Sequence, residues 1–170
     1  MFAGDRQKDN DALVFATESE TEKPSEQPPV PQKYKLLIVD DEKEIHVMTR
    51  LVLSDYSFHN ATLDFHSAYS AKEGRELINA HPDAACILLD VVMEEKDSGL
   101  KLARYIRNEA DNQKLRIILR TGQPGKAPEN DIIMNYDIND YKEKTELTTQ
   151  KLFTTVTTAL RSYSHLTDLE

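Results

Sequence analysis

The chain has 170 residues, 39% hydrophobic and 30% charged, enough for one soluble domain with tails and too few for two domains. A net charge of −9 argues against a nucleic-acid surface, which needs an excess of Lys and Arg on one face. The single cysteine, Cys86, excludes an internal disulfide, and the five histidines (His46, His59, His66, His81, His165) stand at no zinc-ligand spacing.

Residues 1–32 hold Pro24, Pro28, Pro29 and Pro31 among many Ser, Thr, Glu and Gln, and are expected to be a disordered tail. Their one apolar patch, "ALVFA" at 12–16, is far too short to cross a membrane, and nothing has the make-up of a signal sequence, so a cytoplasmic protein without membrane contact is expected. "KLLIVD" (35–40) then predicts a strand, and "EKEIHVMTRLVLSDY" (42–56) a helix with Ile45, Met48 and Val52 inward. "ATLDFHSAYS" (61–70) alternates as a strand does. Ser70 and Glu73 form a capping box ahead of "AKEGRELINAH", which ends at Pro82.

"AACILLDVV" predicts the third strand, and Asp97 and Ser98 cap a helix through "GLKLARYIRNEA" with Leu100, Ala103 and Ile106 inward. "LRIILRT" (115–121) is a fourth strand. The loop "GQPGKAPE" leads to a short helix near 128–135, "DINDYKEK" (137–144) contains a fifth strand, and a last helix starts near 146. Leu152, Val156, Ala159, Tyr163 and Leu166 give that helix a heptad seam, part of which must pack on the sheet. Five strands alternating with five helices predict an α/β fold, a doubly wound parallel sheet with helices on both faces. "LLIV" and "CILL" lack polar alternation, as strands covered on both faces do.

In such sheets ligands bind outside the carboxyl ends of the strands. Those ends carry Asp40, Asp41, Glu42, Asp90, Thr121 and, just after the fifth strand, Lys144. Each has a plain structural reading: Asp41 and Glu42 at a helix N-terminus, Thr121 as a strand end, Lys144 as a solvated charge. Asp90 resists one, because a carboxylate in a buried apolar run costs stability unless it has a partner. Converging carboxylates call for a cation, and an all-oxygen set suits Mg²⁺. An aspartate beside such an ion can attack a phosphoryl group while a hydroxyl and an ammonium neutralise the transferred oxygens.

"LLIVDDEKEIH", "CILLDVVM", "IILRT" and "NDYKEK", in this order and spacing, resemble the signature segments of the response-regulator receiver domain of bacterial two-component systems. The resemblance covers about residues 34–162 and implies a CheY-like, flavodoxin-like sheet with strand order 2-1-3-4-5, a domain over 33–162, and an extension of the last helix over 163–170. It implies Asp90 as phosphoacceptor, Asp40, Asp41, Asp90 and the Val92 carbonyl as Mg²⁺ ligands, Thr121 and Lys144 as phosphoryl contacts, and Thr121 with Tyr141 as the switch. The donor that the resemblance implies is a sensor histidine kinase or phosphotransfer protein. A homodimer is expected through the face of the fourth helix, fifth strand and last helix, or through a coiled coil of the last helix. The implied role is signalling rather than enzymatic. "AYSAKEGRELI", "DINDYKEKTELTTQKLFTTV" and "LVFATE" resemble receivers that head larger regulators with HD-GYP or GGDEF modules acting on cyclic-di-GMP. The chain is therefore expected to be the receiver part of a longer regulator or a truncated form.

The sequence departs from the family at Glu94, where proline is common, in a stretch to Gly99 one residue longer than usual, and at Thr145 in place of the proline after Lys144. Val92 and Gln123 flank the expected path of hydrolytic water, and an apolar Val92 points to slow hydrolysis. Two other readings compete. A pseudo-receiver would bind partners without taking phosphate. A haloacid-dehalogenase-type phosphatase would need an acid two residues after Asp90, where Val92 stands. "TGQPGKA" lacks the spacing of a nucleotide-binding P-loop.

Overall fold

The computed structural model describes residues 33–122, 130–144 and 149–168. The expected tail at 1–32, Gln123 and its loop, and the cap expected at Thr145 lie outside the described residues. The chain runs β1 (Lys33–Val39), α1 (Lys43–Val52), β2 (Thr62–Ala68), α2 (Ala71–Ala80), β3 (Cys86–Asp90), α3 (Ser98–Asn108), β4 (Arg116–Thr121), α4 (Asn130–Asn135), β5 (Ile138–Glu143) and α5 (Thr149–Asp168). All neighbouring strands are parallel, in the order β2-β1-β3-β4-β5, as expected.

Period-two alternation splits the apolar strands between two cores. Leu37, Val39, Ile87, Leu89, Ile117 and Leu119 meet Ile78 of α2 and Leu102, Ala103 and Ile106 of α3. Leu36, Leu88 and Ile118 face the other way, onto Leu152, Val156, Ala159 and Leu160 of α5. The heptad seam of the last helix is thus occupied by core packing through Ala159. Beyond it, Tyr163 sets its ring edge against Tyr34 and donates to the Asp83 carbonyl at 3.1 Å.

Of the residues expected inward on α1, Val52 packs on the core under α5 and Ile45 is half-buried, but Met48 is not inward. His46 and Thr49 are buried, while Met48 is 37%, Val47 66% and Leu51 73% exposed. This helix starts against the polar strand ends, so its inner positions carry groups that can hydrogen-bond there. His46 bridges the Asp40 carbonyl (2.7 Å) and Ser67 Oγ (2.9 Å), and Thr49 Oγ1 receives a bond from Arg120 (3.1 Å). The contact with the Asp40 carbonyl makes His46 Nε2 the donor and leaves Nδ1 to accept from Ser67.

The capping box of α2 forms, with Glu73 N–H donating to Ser70 Oγ at 3.1 Å. The Glu73 carboxylate reaches back to the Tyr69 N–H (2.7 Å) rather than to Ser70. Asp97 occupies the N-cap of α3 but makes no capping bond. Ser98 instead ties the loop, its hydroxyl accepting from Glu95 N–H at 2.9 Å.

The far edge is held by Arg107 of α3, which donates to the carbonyls of Asn112, Tyr136 and Asp137 at 2.8–2.9 Å. These bonds fix the turn into β5, where Asp137 has φ of 47°. A register irregularity at Ile117/Ile118 is filled by Asn139 Oδ1, which accepts the Ile117 N–H at 2.7 Å. Together they set where Lys144 emerges.

Gly99 lies against the end of β3. A Cβ there would stand 2.2 Å from the Asp90 carbonyl oxygen and 2.7 Å from Val91 Cα, both backbone atoms that cannot yield cheaply. Gly99→Ala is expected to lower stability by about 1–3 kcal/mol, measured by urea unfolding.

Candidate functional site

Parallel pairing brings the strand ends to one edge. Asp40 follows the last residue of β1, Asp90 ends β3, Thr121 ends β4, and Lys144 follows β5. Asp40, Asp90 and Thr121 are buried, whereas Asp41 is exposed. One carboxylate oxygen each from Asp40, Asp41 and Asp90 lies within 4.8 Å of the others. Lys144 Nζ stands among the carboxylates, 3.2 Å from Asp90 Oδ2, 3.2 Å from Asp40 Oδ1 and 3.1 Å from Glu42 Oε1.

The charges set one another. Burial pushes the Asp90 carboxyl up to about 7, and the charge of Asp40 adds to this; Lys144 and the Val92 N–H pull the other way. Burial alone would lower the Lys144 ammonium, but the hydrogen bond and charge of Asp40, then Asp90 and Glu42, hold it above its ordinary value. His46, beneath Asp40, is lowered by burial. It is therefore a neutral strut.

A cation fits this cluster. Among the described residues, Asp40 Oδ2 is buried without a hydrogen bond, although Nζ of Lys144 passes at 3.0 Å, and every side-chain donor is a carboxylate oxygen. Such a set suits a hard ion such as Mg²⁺.

The remaining expected residues lie around this centre. Val92 sends its N–H to Asp90 Oδ1 at 3.3 Å. Thr121 pairs in register with Glu143, one residue before Lys144. Tyr141 is half-buried and packs on the core of α2 and α3.

Residues 36–157 match the family model described as the response regulator receiver domain. The chain belongs to the response-regulator receiver family. It is 48% identical, over 135 residues and 79% of its length, to "3'3'-cGAMP-specific phosphodiesterase 2" of Vibrio cholerae serotype O1. The match takes up 26% of that relative's length. Among solved structures, it is similar to the N-terminal domain of a response regulator/sensory box/GGDEF three-domain protein from Carboxydothermus hydrogenoformans, with 25% identity and TM-score 0.62 over 78% of this chain and 98% of that one. The signal receiver domain of an HD domain-containing protein from Pseudomonas fluorescens Pf-5 shares the fold, with TM-score 0.61 and 20% identity over 79% of this chain and 99% of that one. No helix among the described residues is long and apolar enough to cross a membrane.

Within this receiver, the unusual "MEE" gains a structural use. The Glu94 carboxylate accepts the Ala71 N–H at 3.1 Å, so the loop after β3 is pinned to the first turn of α2. A proline in that position could not make the bond. Glu42, already among the strand-end groups, gains Lys144 as its partner, and two residues escape the sequence reading: His46 under Asp40, and Arg120. Only Arg120 carried a signal, a charge inside the apolar run "IILRT", the same signal that exposed Asp90.

Removing the ammonium leaves the carboxylates facing one another. Lys144→Met is expected to lose about 1–3 kcal/mol of stability in EDTA, with excess Mg²⁺ restoring most of it, as read by urea unfolding.

Proposed function

We propose that this receiver takes a phosphoryl group onto Asp90 from a phosphohistidine on a sensor histidine kinase or phosphotransfer protein. The observation that carries the reading is one shared ammonium: Lys144 bridges the buried carboxylates of Asp40 and Asp90 at the strand ends. An Asp90 oxygen forms the bond to phosphorus as the bond to the donor imidazole nitrogen breaks, and the imidazole keeps the electron pair. Asp40, Asp41, Asp90 and the Val92 carbonyl would hold Mg²⁺, which when bound neutralises charge on the transferred oxygens. Lys144 and Thr121 bind those oxygens. The Val92 N–H and Lys144 orient the attacking carboxylate by hydrogen bonds to its two oxygens.

Thr121 then moves toward the phosphoryl group and Tyr141 shifts with it. The face of α4, β5 and α5 changes its preference for partners, a second copy among them. The 48% identity to the phosphodiesterase, whose length this match covers by only 26%, supports a place within a larger regulator acting on cyclic dinucleotides. In that arrangement the hydrolytic chemistry belongs to another module.

Incubation with acetyl phosphate and Mg²⁺ should add one acid-labile phosphoryl group to the wild type and none to Asp90→Asn, as read by intact mass. No adduct under conditions that label a control receiver rejects the assignment. For the switching step, beryllofluoride with Mg²⁺ should change the mass in light scattering or the rotamer of Tyr141. If neither moves, that part fails.

A further inference from the structure

Arg120 of β4 is the direct register partner of Asp90 on β3. Partners in a parallel ladder project to the same face, and two residues earlier Leu88 and Ile118 do so into the core under α5. Arg120 is 1% exposed. Its Nη1 donates to Thr49 Oγ1 at 3.1 Å, while Nε and Nη2 meet no acceptor among the described residues.

Such a residue needs a reason. A buried guanidinium with two idle donor nitrogens is costly, and an isoleucine fills the equivalent space two positions back without that cost. What distinguishes Arg120 from Ile118 is its place opposite Asp90 at the strand end, where the charges of Asp40 and Asp90 act on it. Burial lowers its pKa to about 10 while the charges of Asp40 and Asp90 act in the opposite sense, so it remains a cation at neutral pH. Lys144, at 10% exposure, stands at the edge of the pocket, whereas Arg120 is enclosed by α1 and the sheet.

We propose that Arg120 is a built-in counter-cation of the carboxylate cluster, a positioning residue that competes with the metal and sets how much Mg²⁺ the site needs. The inference rests on reading Asp40, Asp41 and Asp90 as the Mg²⁺ site. Arg120 adds its positive charge behind Asp40 and Asp90 without bonding to either and, being enclosed, stays in place when the ion enters. Its repulsion of a divalent ion scales with the product of their charges and is weakly screened in the interior.

Calorimetric titration of the full chain with Mg²⁺ tests this. Arg120→Met is expected to bind Mg²⁺ roughly tenfold more tightly than wild type or better. Arg120→Lys, which keeps the charge, should stay within about threefold of wild type. A residue with only a packing role would not separate these variants by charge. Arg120→Gln is neutral and can still donate to Thr49, so it carries the test if Arg120→Met does not fold. Neutral variants that bind Mg²⁺ no more tightly than wild type, while Asp40→Asn loses binding, overturn the counter-cation and leave the metal site standing. A wild type that takes no Mg²⁺ overturns both.

Discussion

The arrangement depends on one ammonium. Lys144 touches Asp40, 104 residues away in sequence, and Asp90, 54 residues away. Two buried carboxylates cannot remain ionised side by side without an opposing charge, and here that charge comes from a chain segment at the far side of the sheet. The route of β5 is therefore as much a part of the site as the aspartates. Arg107, the turn at Asp137 and the Asn139 bond at the register irregularity all bear on where Lys144 arrives.

The two faces of the sheet divide the work. On one side lies the core of α2 and α3, against which Tyr141 packs. On the other, α1 supplies polar inner positions, so that His46 and Thr49 support the site from below while Val47 and Leu51 remain at the surface. In β4 the two functions stand on adjacent residues, Arg120 beneath the carboxylates and Thr121 at the strand end. A shift of register by one residue would exchange their faces.

The segment where this chain leaves its family's pattern follows the same economy of polar groups. Glu94 satisfies an N–H in the first turn of α2, where negative charge is favoured, and Ser98 closes the loop on Glu95. Gly99 allows that loop to lie directly on the Asp90 backbone. The strand that ends in Asp90 is thus braced from its own loop as well as from its neighbours.

Much of this could be read before any coordinates. Apolar runs of strand length mark β1, β3 and β4 as strands covered on both faces, alternation marks β2, and β5 is read from its place in the βα order. Asp90 announced itself as a carboxylate in such a run, and the strand ends supplied Asp40, Asp41, Thr121 and Lys144. On α1 the spacing placed Ile45 and Val52 correctly but missed the buried His46 and Thr49, since hydrophobic spacing assigns the interior to apolar residues and this helix starts on a polar edge. The partnership of Glu42, His46 and Arg120 with the site was not legible, for hydrogen bonds and charge contacts between residues tens of positions apart depend on where each backbone ends up. The sequence by itself determined which chemical groups stand at the strand ends. Only the tertiary structure decided which of them share a charge, because Coulomb energy depends on distance and burial, and neither is written in the order of residues.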